Sequence, residues 1–157
     1  MLAKSFVLFV GLFQLASAAY WYKANDGNEY FIEASTNYNW LQAMDQCSRQ
    51  GLQLVTIDHP SKNAALTTLL RSIFNSSPDL WIGHHDEFNT KSDKYRSWYT
   101  PYTGSSISFS YWGNHQPDNT NGGEHCAHIF RKADFKWNDG RCEAKFGFIC
   151  ERPHQSR

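Results

Sequence analysis

Hydrophobic residues in the first half of the chain follow the spacing of amphipathic helices. One set, at i, i+3, i+4 and i+7, consists of Trp40, Ala43, Met44 and Cys47. A second set with the same spacing consists of Leu66, Leu69, Leu70 and Ile73. This spacing places apolar side chains on one face of a helix. We therefore predict a first helix, capped by Asn39 and ended by Gly51, and a second helix that begins at Ser61.

Short apolar and aromatic runs bounded by turn residues predict β-strands. They cover residues 29–32, 52–57, 80–83, 126–130, 135–137 and 146–150, with Asn138-Asp139-Gly140 as a predicted turn. Residues 84–123 are instead rich in Ser, Asn, Asp, Thr, Tyr and Gly, with no sustained period. So long a segment without regular structure indicates either a functional loop or an element that the pattern does not reveal. Helices first and antiparallel strands later indicate the α+β class.

The start of the chain has the pattern of a secretory signal peptide. Lys4 precedes an apolar run, and Ala16-Ser17-Ala18 forms a small-residue cleavage motif. We predict that residues 1–18 are removed, that residues 19–157 form a single domain, and that the protein is secreted. The apolar run over residues 5–19 is too short to favour a membrane span.

Secretion changes how the cysteines are interpreted. The four cysteines are Cys47, Cys126, Cys142 and Cys150. In an oxidising compartment an even number favours two disulfides over a zinc site, and none of the four lies in a C-x-x-C pair. Four cysteines allow three pairings, and the spacing alone does not choose among them.

Charge excludes one class of partner. The chain has 15 basic and 15 acidic residues, and no basic stripe indicates nucleic-acid binding. Aromatic residues make up 16 % of the chain, which suits either an aromatic core or a surface that stacks on flat ligand faces.

Oxygen-bearing side chains are dense near the end of the long polar segment. They are Gln116, Asp118, Asn119 and Glu124, followed one strand later by Asn138 and Asp139. Calcium prefers six to eight such hard oxygen ligands, which makes a calcium site one interpretation. Composition alone supports a solvated acidic loop equally well, because Asp and Asn commonly stabilise turns. Pro117 stiffens the presentation of Gln116 and Asp118, and a cis bond there is one way to do so.

Two catalytic alternatives have weaker support. The histidines His84, His85, His115, His125 and His128 show no H-E-x-x-H spacing, and no nucleophile motif is present. A hydrolase using Asp118 and Glu124 as paired carboxylates would need a raised-pKa acid in an apolar pocket, which the sequence does not indicate. We predict that the chain is not an enzyme.

The order of several motifs resembles the C-type lectin domain family along nearly all of the mature chain. The motifs are Trp81-Ile-Gly83, Gln116-Pro-Asp118, Gly123-Glu-His-Cys126, Trp137-Asn-Asp139, Cys142 and Phe148-Ile-Cys150-Glu151. The resemblance implies an α+β fold with two helices, two small antiparallel sheets and a long ligand-binding loop. It also implies disulfides Cys47–Cys150 and Cys126–Cys142.

The same resemblance implies a calcium site that binds sugar. Its ligands would be Gln116, Asp118, Glu124, Asn138 and Asp139, and two neighbouring hydroxyls of the sugar would complete the calcium shell. The order Gln-Pro-Asp resembles galactose-binding members, so galactose or N-acetylgalactosamine on microbial or host glycoproteins is the expected ligand, with a role in innate immunity. The alternative is a lectin-like domain that binds a protein without calcium or sugar.

Some positions depart from the family pattern. Thr120 stands where galactose-selective members often carry a Trp, and Tyr111 or Trp112 is the alternative stacking residue. Asp86 matches an auxiliary calcium site, but Thr90, Asn119 and His125 stand where acidic ligands are expected, so we predict one calcium ion.

Asn75-Ser-Ser77 is a predicted N-glycosylation acceptor. The chain has no coiled-coil or collagen-like repeat, so any homo-oligomer would form through the domain itself.

Overall fold

A computed structural model describes residues 19–86 and 96–153 of the chain. The strands in these ranges are β1 (Tyr20–Lys23), β2 (Glu29–Tyr38), β3 (Gln53–Leu54), β4 (Leu80–His85), β5 (Cys126–Ile129), β6 (Trp137–Gly140) and β7 (Phe146–Glu151). The helices are α1 (Trp40–Ser48) and α2 (Pro60–Ile73), and a 3₁₀ turn covers Thr120–Gly122. The predicted signal peptide, residues 1–18, and Thr90 lie outside the described residues.

The described strands form one continuous sheet with β7 near its centre. Their order is β1-β2-β7-β4-β5-β6, and β3 also pairs with β7. Since β2 follows one edge of β7, β3 and β4 share the other. The α+β class is confirmed. The arrangement differs from the expected two small antiparallel sheets because β4 pairs with β7 in parallel and so joins the antiparallel parts.

Helix α1 begins as the sequence predicts. The Asn39 side chain accepts the N–H of Gln42 at 2.8 Å, and the Gln42 side chain accepts the N–H of Asn39 at 3.1 Å. This reciprocal capping box satisfies N–H groups that the first helical turn leaves without a partner. Helix α2 begins earlier than predicted, at Pro60 rather than Ser61. The cap is His59, whose Nδ1 accepts the N–H of Lys62 at 3.1 Å.

The observed strand boundaries differ more from the predicted ones than the observed helix boundaries do. Only Gln53–Leu54 of the predicted strand 52–57 pairs in the sheet, whereas β2 and β4 extend beyond their predicted ends. Residues Asn138-Asp139-Gly140, predicted as a turn, belong to strand β6 instead. The reason is long-range pairing: His128 lies opposite Asn138 and Ala127 opposite Asp139 across the β5–β6 ladder. Turn composition is a local preference, and sheet pairing overrides it.

The predicted apolar faces of both helices pack against the sheet. Leu66 and Leu70 of α2 are buried in one core cluster, and Leu69 and Ile73 are partly buried beside them. Trp40, Ala43 and Cys47 of α1 are buried in a second cluster with Trp81 and Phe148, among others. Gly83 of the Trp81-Ile-Gly83 motif permits a close approach, since a Cβ there would lie 2.9 Å from the Leu54 carbonyl oxygen.

Both implied disulfides are confirmed. Cys47–Cys150 joins α1 to β7, across 103 residues of sequence. Cys126–Cys142 joins the start of β5 to the residues after β6, across 16 residues. Cys126–Cys142, which spans fewer residues, therefore links β5, which follows Glu124, to the chain just after β6, which contains Asp139. Cys47–Cys150 closes most of the described chain into a loop.

The structure contains a buried ion pair, between Lys62 and Glu151, that the sequence did not predict. Lys62 lies on α2 with a side chain only 2 % exposed, and its Nζ lies 2.6 Å from Glu151 Oε2. The other oxygen of Glu151 accepts the N–H of Thr56 at 2.8 Å. Removing one partner of a buried pair leaves the other charge without compensation, which is strongly destabilising.

We predict that Lys62→Met lowers the free energy of unfolding by about 3–5 kcal/mol, because the Glu151 charge is left buried. Lys62→Met combined with Glu151→Gln should recover much of the loss, since the amide oxygen still accepts the Thr56 N–H. Denaturant unfolding measures both variants. Lys23→Met, at an exposed lysine, is the control and should change stability by less than about 0.5 kcal/mol. A Lys62→Met variant as stable as this control would contradict the prediction.

Candidate functional site

The structure brings three of the predicted site carboxylates together. Ligand oxygens of Asp118, Glu124 and Asp139 all lie within 4.8 Å of one another. Asp139 comes from the buried strand β6, and Glu124 lies just before β5. Asp118 and Glu124 bound the short segment that contains the 3₁₀ turn. We call Asp118, Glu124 and Asp139 the acidic group.

Asp139 is the buried member of the acidic group and holds the loop to the sheet. Its Oδ1 accepts the N–H of Asp118 at 3.1 Å, and its Oδ2 accepts the N–H of Asn119 at 2.7 Å. Two consecutive backbone groups of the loop are therefore fixed by one carboxylate on a strand. Hydrogen bonds to charged acceptors are shorter and stronger than neutral ones.

The turn between Asp118 and Glu124 is organised by its own polar side chains. The Thr120 hydroxyl donates to Asp118 Oδ1 at 2.8 Å, and the Thr120 N–H lies 3.1 Å from Glu124 Oε2. The Asn119 side chain accepts the N–H of Glu124 at 3.0 Å. Asn119 and Asn121 have φ of 50° and 57°, a left-handed conformation that Asn tolerates better than most residues.

The two amide members of the predicted set lie beside the acidic group. Gln116 Nε2 is 3.4 Å from Asp118 Oδ2, and the bond from Gln116 to Pro117 is cis. Asn138 Nδ2 donates to the Asp139 carbonyl oxygen. The amide oxygens, Gln116 Oε1 and Asn138 Oδ1, are buried with no hydrogen-bond partner among the described residues. A buried acceptor without a partner is costly, so a ligand that supplies positive charge would stabilise both.

Electrostatics in the acidic group disfavour three ionised carboxylates. Burial, followed by the nearby Asp139 and Asp118 carboxylates, raises the pKa of Glu124 to about 7. Because burial and like charge both penalise the ionised form, a bound cation would reverse the effect. Carboxylate and amide oxygens without nitrogen or sulfur ligands form the donor set of a hard cation such as calcium.

The described residues at the positions of the auxiliary calcium site, Asp86, Asn119 and His125, are grouped around Arg96 and Asp139. Asp86 and Asp139 both contact the guanidinium of Arg96, and His125 Nδ1 lies 2.8 Å from Asp86 Oδ2. Asn119 reaches this cluster through Asp139. Sequence reasoning missed Arg96, because a single arginine in a polar loop has no diagnostic spacing and its carboxylate partners are distant in sequence.

Two of the candidate histidines, His84 and His128, are buried in the core. Burial lowers the pKa of His84 to about 3 and that of His128 to about 4, which keeps both rings neutral. His84 Nε2 accepts the N–H of Ile57 at 3.2 Å, and His128 Nδ1 lies 3.0 Å from the Ile129 carbonyl oxygen. These two residues serve the core.

Tyr111 and Trp112, the aromatic alternatives to Thr120 for stacking on a sugar, both pack against the core. Trp112 packs on Trp98 and Trp137, with ring centroids 4.7 and 5.6 Å apart. Tyr111 is partly buried against the same cluster, and Lys136 Nζ lies 5.6 Å from its ring centroid. The structure therefore gives both rings packing roles.

Comparison with known proteins identifies the relatives of the chain. The family model for the lectin C-type domain matches residues 36–152. Lectin subunit alpha of Sarcophaga peregrina is 40 % identical over 153 residues, which cover 96 % of this chain and 54 % of that protein. Salivary C-type lectin 1 of Aedes albopictus is 34 % identical over 121 residues, covering 73 % of this chain and 76 % of the relative. The chain thus spans about half the length of the Sarcophaga protein.

Solved structures agree with the fold. The carbohydrate-recognition domain of mouse scavenger receptor C-type lectin superposes with a TM-score of 0.66 at 24 % identity, covering 85 % of this chain and 96 % of that one. The prediction that the chain is not an enzyme is confirmed, since the matching family and relatives are lectins. In the described ranges, no helix is long and apolar enough to cross a membrane.

We predict that the chelator-treated protein loses stability as the pH rises from about 5 to 8, in part because of Glu124. Its folded pKa of about 7 lies above the ordinary value of 4.5, so the folded state binds this proton more tightly than the unfolded state. That contribution is present at low pH and is lost as Glu124 ionises. Thermal unfolding in chelator measures it, with Glu124→Gln as the comparison.

The glutamine variant should show a smaller fall over the same pH range, since it keeps an uncharged side chain throughout. Parallel curves for the two proteins would contradict the raised pKa of Glu124.

Proposed function

Because the chain belongs to the C-type lectin domain family, we propose that it binds galactose-type sugars through a calcium ion. The observation that carries this proposal is the pair of buried amide oxygens, Gln116 Oε1 and Asn138 Oδ1, which have no partner among the described residues. Both residues contact members of the acidic group. Two acceptors without donors beside three clustered carboxylates are what an oxygen-liganded cation would satisfy.

The proposed ligands are Gln116, Asp118, Glu124, Asn138 and Asp139. Asp139 Oδ2 accepts from two donors, Arg96 and the N–H of Asn119. Oδ1 accepts from one, the N–H of Asp118, so Oδ1 and the other four side chains are the oxygens proposed to bind the ion. Calcium would supply the positive charge that the acidic group lacks and two coordination positions for neighbouring sugar hydroxyls. Pro117, after its cis bond, shapes the loop between Gln116 and Asp118.

The proposed preference for galactose rests on the order of amide and acid in Gln116-Pro117-Asp118, which resembles that of galactose-binding members. A carboxylate only accepts hydrogen bonds, whereas an amide both accepts and donates. The order of Gln116 and Asp118 therefore determines which hydroxyl arrangement each ligand satisfies. Tyr111 and Trp112 are partly buried against the core, and the Thr120 hydroxyl donates to Asp118, so we assign the preference to this order.

Other features support an extracellular setting. Two disulfides are typical of an oxidising compartment, consistent with secretion after removal of residues 1–18. Asn75 is exposed just after α2, as a glycan acceptor must be. We propose microbial or host glycoproteins as the ligands, with a role in innate immunity. Any homo-oligomer would form through the domain.

Calcium should raise the stability of the protein and permit sugar binding. At a calcium concentration 100 times the dissociation constant, the expected stabilisation is about 2.7 kcal/mol. The protein should bind immobilised galactose in calcium and elute with chelator. The control is Glu124→Gln combined with Asp118→Asn, which removes two ligand charges, leaves the buried Asp139 in place and should show neither effect. Retention on galactose after chelation would contradict calcium-dependent binding. A protein that is not stabilised by calcium and does not bind galactose would favour the protein-binding alternative.

Exchanging the amide and the acid should change the sugar preference. We predict that Gln116→Glu combined with Asp118→Asn shifts binding toward mannose, because the donor and acceptor at these positions are reversed. Competition of free galactose and free mannose for a glycan surface measures the ratio. Thr120→Ser, which keeps the hydroxyl bonded to Asp118, is the matched control. An unchanged ratio in the double variant would locate the selectivity elsewhere.

A further inference from the structure

Arg96 is a buried cation that contacts three separate parts of the chain. Its Nε donates to Asp86 Oδ2 at 2.5 Å, and one terminal nitrogen donates to Asp139 Oδ2 at 2.6 Å. The same nitrogen donates to the Glu124 carbonyl oxygen, also at 2.6 Å. The side chain of Arg96 is 2 % exposed, and both carboxylates are 0 % exposed.

The surroundings of Arg96 fix the orientation of its guanidinium group. Trp98 packs against it, with Cζ 4.8 Å from the ring centroid. His125 Nδ1 lies 2.8 Å from the same Asp86 oxygen that accepts from Arg96. A guanidinium is planar and permanently charged and presents its donors in a fixed fork. One arginine can therefore bridge Asp86 at the end of β4 to Asp139 on β6.

These contacts place Arg96 at both ends of the segment from Asp118 to Glu124. At the first end, Asp139 accepts the N–H groups of Asp118 and Asn119. At the second end, Arg96 binds the Glu124 carbonyl oxygen directly. The Asn119 side chain, which accepts the Glu124 N–H at 3.0 Å, connects the two ends.

We propose that Arg96 is a positioning residue: an internal cation that keeps the segment from Asp118 to Glu124 in place before calcium binds. Two buried carboxylates, Asp86 and Asp139, need a compensating positive charge. Arg96 supplies a charge that is independent of any ion concentration. The ordering of the segment does not depend on the proposed function. The consequence for calcium, a site already formed in the ion-free protein, rests on that function.

Hydrogen exchange in chelator tests the proposal. The probes are the N–H groups of Asp118, Asn119 and Glu124, which donate inside this network. Arg96→Lys keeps the charge but loses the fork, so these amides should exchange about tenfold faster or more, while amides of β7 change little. Arg96→Met should accelerate them further. The control is Arg71→Met, which removes an arginine from a half-exposed pair with Asp134 and should leave the probes unchanged.

Two results would overturn the proposal. Probe amides in Arg96→Lys that exchange within about twofold of the wild-type rate would show that the fork is not needed. Equal acceleration at the probes and in β7 would show only a loss of global stability and no specific role of Arg96 in positioning the segment. Calcium titration of the wild-type protein is a separate readout: absence of binding would contradict the proposed function without altering the exchange comparison.

Discussion

The buried carboxylate of Asp139 is the constraint on which the organisation of this molecule depends. A charge that is 0 % exposed requires compensating donors, and here they come from two loop amides and from Arg96. Because Asp139 belongs to β6, those bonds fix the loop to the sheet. The relative positions of the carboxylates in the acidic group therefore depend on the sheet.

The sheet and the disulfides make that dependence effective. Cys126–Cys142 joins the residues that flank β5 and β6, and the β5–β6 ladder sets Ala127 opposite Asp139. Glu124 then lies near Asp139 because the chain enters β5 two residues later. Burial, followed by closely spaced like charges, raises the pKa of Glu124. The amide oxygens of Gln116 and Asn138, which have no hydrogen-bond partner among the described residues, would also be stabilised by a cation. The same features that cost stability in the ion-free protein are the ones that would favour binding.

How far the sequence predicts this molecule depends on the range of the interactions. The Asn39 cap, the apolar faces of both helices and the α+β class follow from local spacing and propensity, and the structure agrees. The disulfide pairing and the position of the loop ligands came from the ordered motifs, not from local rules. Features that depend on distant partners were missed: the pairing that makes Asn138–Gly140 a strand, the burial of Lys62 against Glu151, and the role of Arg96. Each is decided by a partner that lies ten or more positions away in the sequence, which periodicity does not detect.

The central claim is that the acidic group, together with Gln116 and Asn138, forms one calcium site that also binds sugar. Calorimetric titration of calcium into the chelator-treated protein, with and without galactose, tests it most directly. Coupled binding is reciprocal, so we predict a stoichiometry of about one ion and tighter calcium binding when galactose is present. Absence of calcium binding, or an affinity for calcium that galactose leaves unchanged, would contradict the account.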